Sequence, residues 1–119
     1  MNLLDEFFDG QPQSRQLFNI LQGMAAALGP MTLRVTKSQV AFCRRKVFAW
    51  AWMPEKYLHR PAAPLVLTLA LRRRDTSLRW KEIVEPVPGR FTHHLELYSP
   101  QDIDGQVRSW LQEAWEEAK

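Results

Sequence analysis

The sequence predicts an α+β fold: a two-layer sandwich in which an N-terminal and a C-terminal helix cover one face of a mainly antiparallel sheet of about five strands. Apolar residues repeat at helical spacing between Leu17 and Leu28, and again between Ile103 and Ala114. Between these two segments the apolar residues alternate with other residues, as they do in strands. Residues 1–119 are therefore expected to form a single α+β domain, long enough to bury one compact core.

The first helix is predicted by an apolar stripe and by a clear stop signal. The stripe consists of Leu17, Ile20, Leu21, Met24 and Leu28. Gly29-Pro30 follows directly, and this pair ends a helix because glycine suits the residue after the last turn and proline cannot continue it.

A hairpin and a central strand are expected next. Residues 32–42 alternate on either side of Lys37-Ser38, which predicts two strands joined by a turn. The third strand, residues 47–53, is apolar on both faces and should therefore lie in the middle of the sheet. Simple alternation places Phe48, Trp50 and Trp52 on one face of it.

Two further strands complete the predicted sheet. The fourth carries four leucines on one face, namely Leu65, Leu67, Leu69 and Leu71. The fifth contains Phe91, His93, Leu95 and Leu97 on one face, so His93 is expected to be a packing residue. Residues 54–64 are predicted to be a loop, and residues 76–90 an irregular connection, because the latter segment ends in two prolines and a glycine.

The C-terminal helix is predicted by its start and by its apolar stripe. Ser99 can cap a helix, Pro100 suits the first helical position, and Asp102 adds negative charge near the first turn. The stripe consists of Ile103, Val107, Trp110, Leu111 and Ala114. Both helices are expected to cover the leucine face, and acidic residues at the helix start are interpreted as capping residues.

Basic charge is concentrated in the predicted sheet. Residues 31–90 contain thirteen Lys or Arg and four Asp or Glu, a formal charge of +9, whereas the flanking segments are net acidic. The N-terminal residues have neither a basic region nor a long apolar run, so we expect no signal peptide and no membrane span. The single cysteine, Cys43, excludes an internal disulfide and a cysteine-based zinc site. We expect a cytoplasmic protein without a cofactor or a metal ion.

Two basic clusters are candidates for binding a polyanion. They are Arg44, Arg45 and Lys46, and Arg72, Arg73 and Arg74, each at the end of a predicted strand. If these strand ends converge, the clusters would neutralise several phosphates. The alternative is that the cations are solvated and protect the sheet from mispairing.

Trp50 and Trp52 distinguish two interpretations of the sheet surface. If they face the helices they belong to the core, which is the interpretation we favour. If they face outward beside Arg34 and Arg72, they form a platform on which the bases of single-stranded nucleic acid stack.

His94 is the candidate for a small-ligand or catalytic site. It lies on the more polar face of the fifth strand, where an imidazole can act as an acid, a base or an anion ligand. The alternative is a solvated or capping side chain. A pocket near His94 would include Lys37 and Trp50, with Arg34 as further positive charge. His93 and His94 point to opposite faces, so they cannot hold one metal ion together.

Short segments along the chain match the pattern of a known family. They are residues 36–42, Phe48-Ala49, residues 65–71, residues 94–99, residues 102–104 and the helix at residues 110–114. With these segments the chain, from Leu17 onward, resembles the bacterial family called domain of unknown function 5655. The residues that match the family are Lys37, Ser38, Phe48, His94 and Asp102. The resemblance implies a small accessory domain, found alone or appended to other domains, and implies no established reaction.

These observations predict a small, non-catalytic accessory or binding module. Its expected partner is nucleic acid or another polyanion, such as an acidic protein, bound on the basic sheet surface. The alternative is a small enzyme or small-molecule-binding protein with a pocket near His94. We favour the first because the sequence has no nucleophile motif and no glycine-rich phosphate loop. A homodimer through an exposed sheet face or edge is compatible with both.

Overall fold

The computed structural model describes residues 2–56 and 62–119, and over these residues the α+β class is confirmed. The α-helices are α1 (Leu3–Phe7), α2 (Pro12–Ala26) and α3 (Gly105–Glu117). The strands are β1 (Thr32–Val35), β2 (Val40–Cys43), β3 (Val47–Trp52), β4 (Leu65–Leu71), β5 (Glu82–Val87) and β6 (Arg90–Leu97). Two 3₁₀ turns lie at Pro54–Lys56 and Pro100–Asp102.

The six strands form one antiparallel sheet in the order β1-β2-β3-β4-β6-β5. β3 lies inside the sheet, as its two apolar faces predict. The prediction of an irregular connection over residues 76–90 is wrong, because β5 is an additional strand in this segment. Its register with β6 shifts between Val84 and Val87. A proline in this position is tolerated since β5 is an edge strand, where a missing N–H breaks no ladder inside the sheet.

The hydrophobic core lies between the sheet and the helices α2 and α3. The sheet contributes the four leucines of β4, all between 0% and 1% exposed. The buried side chains of the two helices include Leu17, Phe18, Leu21, Val107, Trp110 and Leu111. Burying each large apolar side chain stabilises the fold by about 1.5 to 3 kcal/mol. The predicted cover of the leucine face by both helices is therefore confirmed.

Two aspartates organise the start of α3. Asp104 is the N-cap, and its Oδ1 accepts a hydrogen bond from the Val107 N–H over 3.1 Å. Asp102 Oδ2 accepts from the Tyr98 and Ser99 N–H groups, over 2.8 and 3.2 Å. The capping interpretation of these carboxylates is confirmed. The helix begins at Gly105 rather than beside Ser99, since Pro100–Asp102 forms a 3₁₀ turn first.

Candidate ligand-binding site

The sheet face that α2 and α3 leave uncovered carries a row of residues that crosses all six described strands. The pairing register sets them side by side in the order Arg34, Ala41, Trp50, Thr68, His94 and Glu82. Because successive residues of a strand point to opposite faces, this row lies on the side away from the leucines of β4. We call the surface around this row the open face.

A β-bulge in β3 places both tryptophans on the open face. The register of β2 with β3 shifts between Phe42 and Cys43, which leaves Phe48 as an extra residue in β3. Phe48 is buried in the core, whereas Trp50 and Trp52 are half-buried on the opposite side. The interpretation of Trp50 and Trp52 as core residues is therefore wrong. It assumed strict alternation from Phe48, which holds only for a strand without a bulge.

A chain of hydrogen bonds connects one tryptophan to the histidine. Trp52 Nε1 donates to Thr68 Oγ1 over 2.9 Å, and Thr68 Oγ1 lies 2.8 Å from His94 Nδ1. An indole N–H can only donate, so Thr68 accepts from Trp52. The Thr68 hydroxyl then either donates its own proton to Nδ1 of His94 or accepts a second hydrogen bond from it, according to the tautomer of the imidazole. The Trp52 and His94 rings meet edge to face, with 6.3 Å between their centres.

Trp52, Thr68 and His94 line a depression of about 370 Å³ in the open face. The full lining is Gln39, Trp50, Trp52, Thr68, Thr92 and His94. Burial lowers the pKa of His94, and the nearby Glu82 carboxylate opposes this shift only in part. The imidazole is therefore neutral at pH 7 and presents one donor and one acceptor nitrogen.

Three of the five predicted ligand-binding residues lie together in this depression. Arg34 is exposed and lies two strands from Trp50, about 10 Å at roughly 4.8 Å per strand, so it stands at the rim. Lys37 is in the connection between β1 and β2 and lines a groove beside α1 instead. Gln39, from the same connection, contributes to the depression. The sequence did not single out Gln39, because its position depends on how the hairpin closes.

The two basic clusters converge at one end of the sheet, where they contact the C-terminal end of α3. The Arg44 guanidinium lies 3.5 Å from the centre of the Trp115 ring, and its Nη1 donates to the Trp115 carbonyl oxygen over 3.2 Å. The backbone N–H groups of Arg45 and Lys46 both donate to the Ala118 carbonyl oxygen over 3.2 Å. These donors satisfy carbonyl groups that the end of a helix leaves unpaired. The positive charge of Arg44 also interacts favourably with the negative end of the dipole of α3.

The second cluster also holds α3. Arg72 Nη2 donates to the Glu117 carbonyl oxygen over 3.1 Å, and Arg73 donates to both carboxylate oxygens of Glu113 over 2.7 and 2.9 Å. Hydrogen bonds to Glu113, and then to Asp75, raise the pKa of the Arg73 guanidinium. Half of the predicted polyanion-binding cations thus pack α3 against the sheet. The side chains that extend into solvent from the same clusters are Arg45, Lys46 and Arg74.

The part of the chain that the structure describes holds no group of three His, Cys, Asp or Glu side chains suited to a metal ion. Within residues 2–56 and 62–119, no helix has the length and apolar character needed to cross a membrane. The open face offers aromatic rings, hydroxyl groups, an amide and an imidazole as its ligand contacts.

Comparison with known proteins yields one match. A family model described as a domain of unknown function (DUF5655) matches residues 4–118. No curated protein and no solved structure matches the chain significantly. The family match confirms the resemblance that the short sequence segments indicate.

Proposed function

The chain belongs to the DUF5655 family, and we propose that it is a non-catalytic binding module whose open face holds single-stranded nucleic acid. The observation that carries this proposal is the position of Trp50 and Trp52, two residues apart on a sheet face that no described helix covers. Bases stack on aromatic side chains, and each stacked base contributes about 1 to 3 kcal/mol to binding. Stacking tolerates any base sequence, since every base has a π-face.

The shape of the site favours an extended ligand. Small-molecule sites are usually concave and bury most of the ligand surface. The depression beside Trp50 is an open part of a sheet surface, lined by Gln39 and by residues of β3, β4 and β6. A ligand that lies across several strands, as a nucleic acid strand does on a sheet, suits this surface better than a compact molecule does.

The charge distribution favours an anionic ligand. Residues 31–90, which contain strands β1 to β5 and the first residue of β6, carry a formal charge of +9. Arg34 lies in the same row as Trp50 and is exposed, and Arg45 is exposed at the end of the sheet. Phosphate groups of a strand stacked on the tryptophans would therefore be attracted to the rim of the open face.

Tryptophan fluorescence tests the proposal directly. Titration with a single-stranded homo-oligonucleotide at low salt should quench the emission of the wild-type protein. Trp50→Ala should weaken binding by about 5-fold to 150-fold, which corresponds to about 1 to 3 kcal/mol of stacking. Trp50→Phe is the matched control, because it keeps an aromatic ring and should retain most of the affinity. Absence of any quenching or mobility shift at low salt would refute the proposal.

A test of the electrostatic contribution to binding needs cations whose side chains make no contact that holds α3 against the sheet. Reversal of Arg44, Arg72 or Arg73 would also break contacts that hold the helix, so loss of binding would have two explanations. Arg34→Glu and Arg45→Glu avoid this problem, since both side chains are exposed. Each should weaken oligonucleotide binding and reduce its salt dependence, with an unchanged melting temperature.

A small-molecule site near His94 is the second candidate function. It is favoured by the hydrogen bonds from Trp52 through Thr68 to His94, which hold a neutral imidazole in a fixed orientation. Chemical-shift mapping distinguishes the two candidates. Perturbation by a metabolite that is confined to His94 and its neighbours supports the second, whereas perturbation by oligonucleotides that spreads over the open face supports the first. An acidic protein or a second copy of the chain on this face would appear instead as a change in mass in solution.

A further inference from the structure

Three basic side chains line a cleft at the end of the sheet. They are Lys46, before β3, Arg72, after β4, and Arg90, at the start of β6. The cleft has a volume of about 320 Å³, and Glu117 is the acidic residue in its lining. Three cations and one carboxylate give the lining a net formal charge of +2. Arg90 lies outside both basic clusters that the sequence suggests.

The pairing register sets two of these cations opposite each other. Continued beyond its last pair, the register of β4 with β6 places Arg72 opposite Arg90. Lys46 precedes the bulge at Phe48 and lines the same cleft from the start of β3. Like charges directly opposite each other on neighbouring strands destabilise a sheet. The arrangement therefore carries an electrostatic cost that Glu117 offsets only in part.

Arg72, directly after β4, and Arg90, in β6, lie along the same two strands as Thr68 and His94 of the open face. Each is four residues along its strand from the corresponding member, which is about 13 Å at roughly 3.3 Å per residue. Ala70 lines the cleft and lies on the open face two residues from Thr68. The cleft, which the end of α3 also lines, therefore reaches the open face at this residue.

We infer that this cleft binds a phosphate group and, resting on the proposed function, that the group belongs to the strand whose bases stack on Trp50 and Trp52. An anion between the three cations removes their mutual repulsion. Part of the site is already ordered, because Glu117 holds both the backbone N–H and the guanidinium of Arg72, over 2.9 and 3.1 Å. The planar guanidinium of an arginine presents two parallel N–H groups, which match phosphate oxygens.

Thermal unfolding with inorganic phosphate tests the cleft alone. At matched ionic strength, phosphate in place of chloride should raise the melting temperature of the wild-type protein by a few degrees when phosphate is well above its Kd. Arg90→Gln should lose most of this rise. In chloride, Arg90→Gln should melt no lower than the wild type, because the substitution removes a repulsion rather than a structural contact.

Arg108→Gln is the matched control, since Arg108 is an exposed cation on α3 outside the lining of the cleft. Phosphate also stabilises proteins in general, so the readout is the difference between the two variants. Arg108→Gln should respond to phosphate as the wild type does. An equal response of Arg90→Gln, or an unchanged wild-type melting temperature, would overturn the inference.

Oligonucleotides identify the source of the phosphate group. If the cleft holds a phosphate of the stacked strand, Arg90→Gln should reduce the salt dependence of binding by about 0.7 in the logarithmic slope, the value for one phosphate contact on a single strand. Quenching by oligonucleotides with an unaltered slope in Arg90→Gln overturns the assignment of this phosphate to the stacked strand and leaves the proposed function intact. A phosphate response through Arg90 without any quenching by oligonucleotides supports the cleft, with phosphate from another source, and overturns the proposed function.

Discussion

The backbone N–H of Asp75 donates a hydrogen bond to Nε2 of His93, over 3.0 Å. The other ring nitrogen, Nδ1, lies 3.1 Å from the Phe91 carbonyl oxygen, and since a carbonyl only accepts, Nδ1 carries the proton. His93 is fully buried, and the Trp80 ring lies 4.8 Å from it. The fold therefore holds His93 as a neutral packing residue in a single tautomer, as its place on the fifth predicted strand suggests.

Acidification should destabilise the protein through His93. Burial lowers the pKa of His93 below its ordinary value of 6.5. As the pH falls below 6.5, the unfolded chain binds a proton there that the folded chain does not, so the free energy of unfolding should fall by at most about 1.4 kcal/mol per pH unit. Well above pH 6.5, where the imidazole of the unfolded chain is also neutral, this contribution to the pH dependence disappears.

Denaturant unfolding on either side of pH 6.5 measures this effect. His94→Gln is the suitable background, since it removes another histidine whose pKa burial lowers. Imidazole nitrogen shifts should show a proton on Nδ1 of His93 at neutral pH. A charged His93 at neutral pH, or a free energy of unfolding that stays constant below pH 6.5, would contradict the prediction.

Neighbouring arginines in the first basic cluster should differ in their effect on stability. Arg44→Gln removes both the stacking on Trp115 and the hydrogen bond to its carbonyl, so it should cost about 1 to 2 kcal/mol. Arg45→Gln keeps the backbone hydrogen bond to Ala118 and should change stability by less than about 0.5 kcal/mol. Chemical denaturation of both variants gives the comparison. Equal effects would mean that Arg44 does not hold α3.

Truncation of Trp110 should be strongly destabilising. Its side chain is only 5% exposed, and its ring lies 4.1 Å from that of Trp80. Trp110→Ala should therefore lower the free energy of unfolding by about 3 to 5 kcal/mol, from lost burial and the cavity that remains. Leu78→Ala, at a side chain that is 100% exposed, is the control and should have little effect. A melting temperature that Trp110→Ala leaves unchanged would refute the packing of α3.

Two glycine-to-alanine substitutions should act in opposite directions. Gly29 has φ +153°, and a Cβ added there would overlap the Trp115 ring. Gly29→Ala should therefore cost more than about 1 kcal/mol. Gly23 lies inside α2 with no atom near its added Cβ, so Gly23→Ala should stabilise by about 0.5 to 1 kcal/mol. Thermal melts of the two variants, which change the chain by one methyl group each, decide whether Trp115 packs over Gly29.

Local patterns predict those parts of this fold that depend on one element at a time. The four leucines of β4 identify the covered face because they alternate without interruption. Asp104 is recognisable as a cap, since a carboxylate at a helix start has one common role. The strand β5 could not be predicted from local patterns. Pro86 by itself indicates a loop, and it is compatible with a strand only at the edge of a sheet.

The candidate site depends on relationships between elements, and these were harder to predict. His94 and Thr92 can be assigned to the polar face of their strand from alternation alone. The hydrogen bonds that join Trp52, Thr68 and His94 require the registers of three strands, which the sequence does not display. Likewise, Arg44 and Arg72 appear in the sequence only as charge, and their contacts with α3 follow from the packing of a distant helix.

The unpaired Phe48 also determines which change in chain length this sheet tolerates. Val47 pairs with Cys43 and Ala49 pairs with Phe42, so Phe48 is the residue that a regular ladder does not need. Its loss would remove the bulge, keep these pairs and leave Trp50 and Trp52 on the open face. Loss of Ala51, after the bulge, would instead turn Trp52 toward the core, into a space occupied by an alanine methyl group.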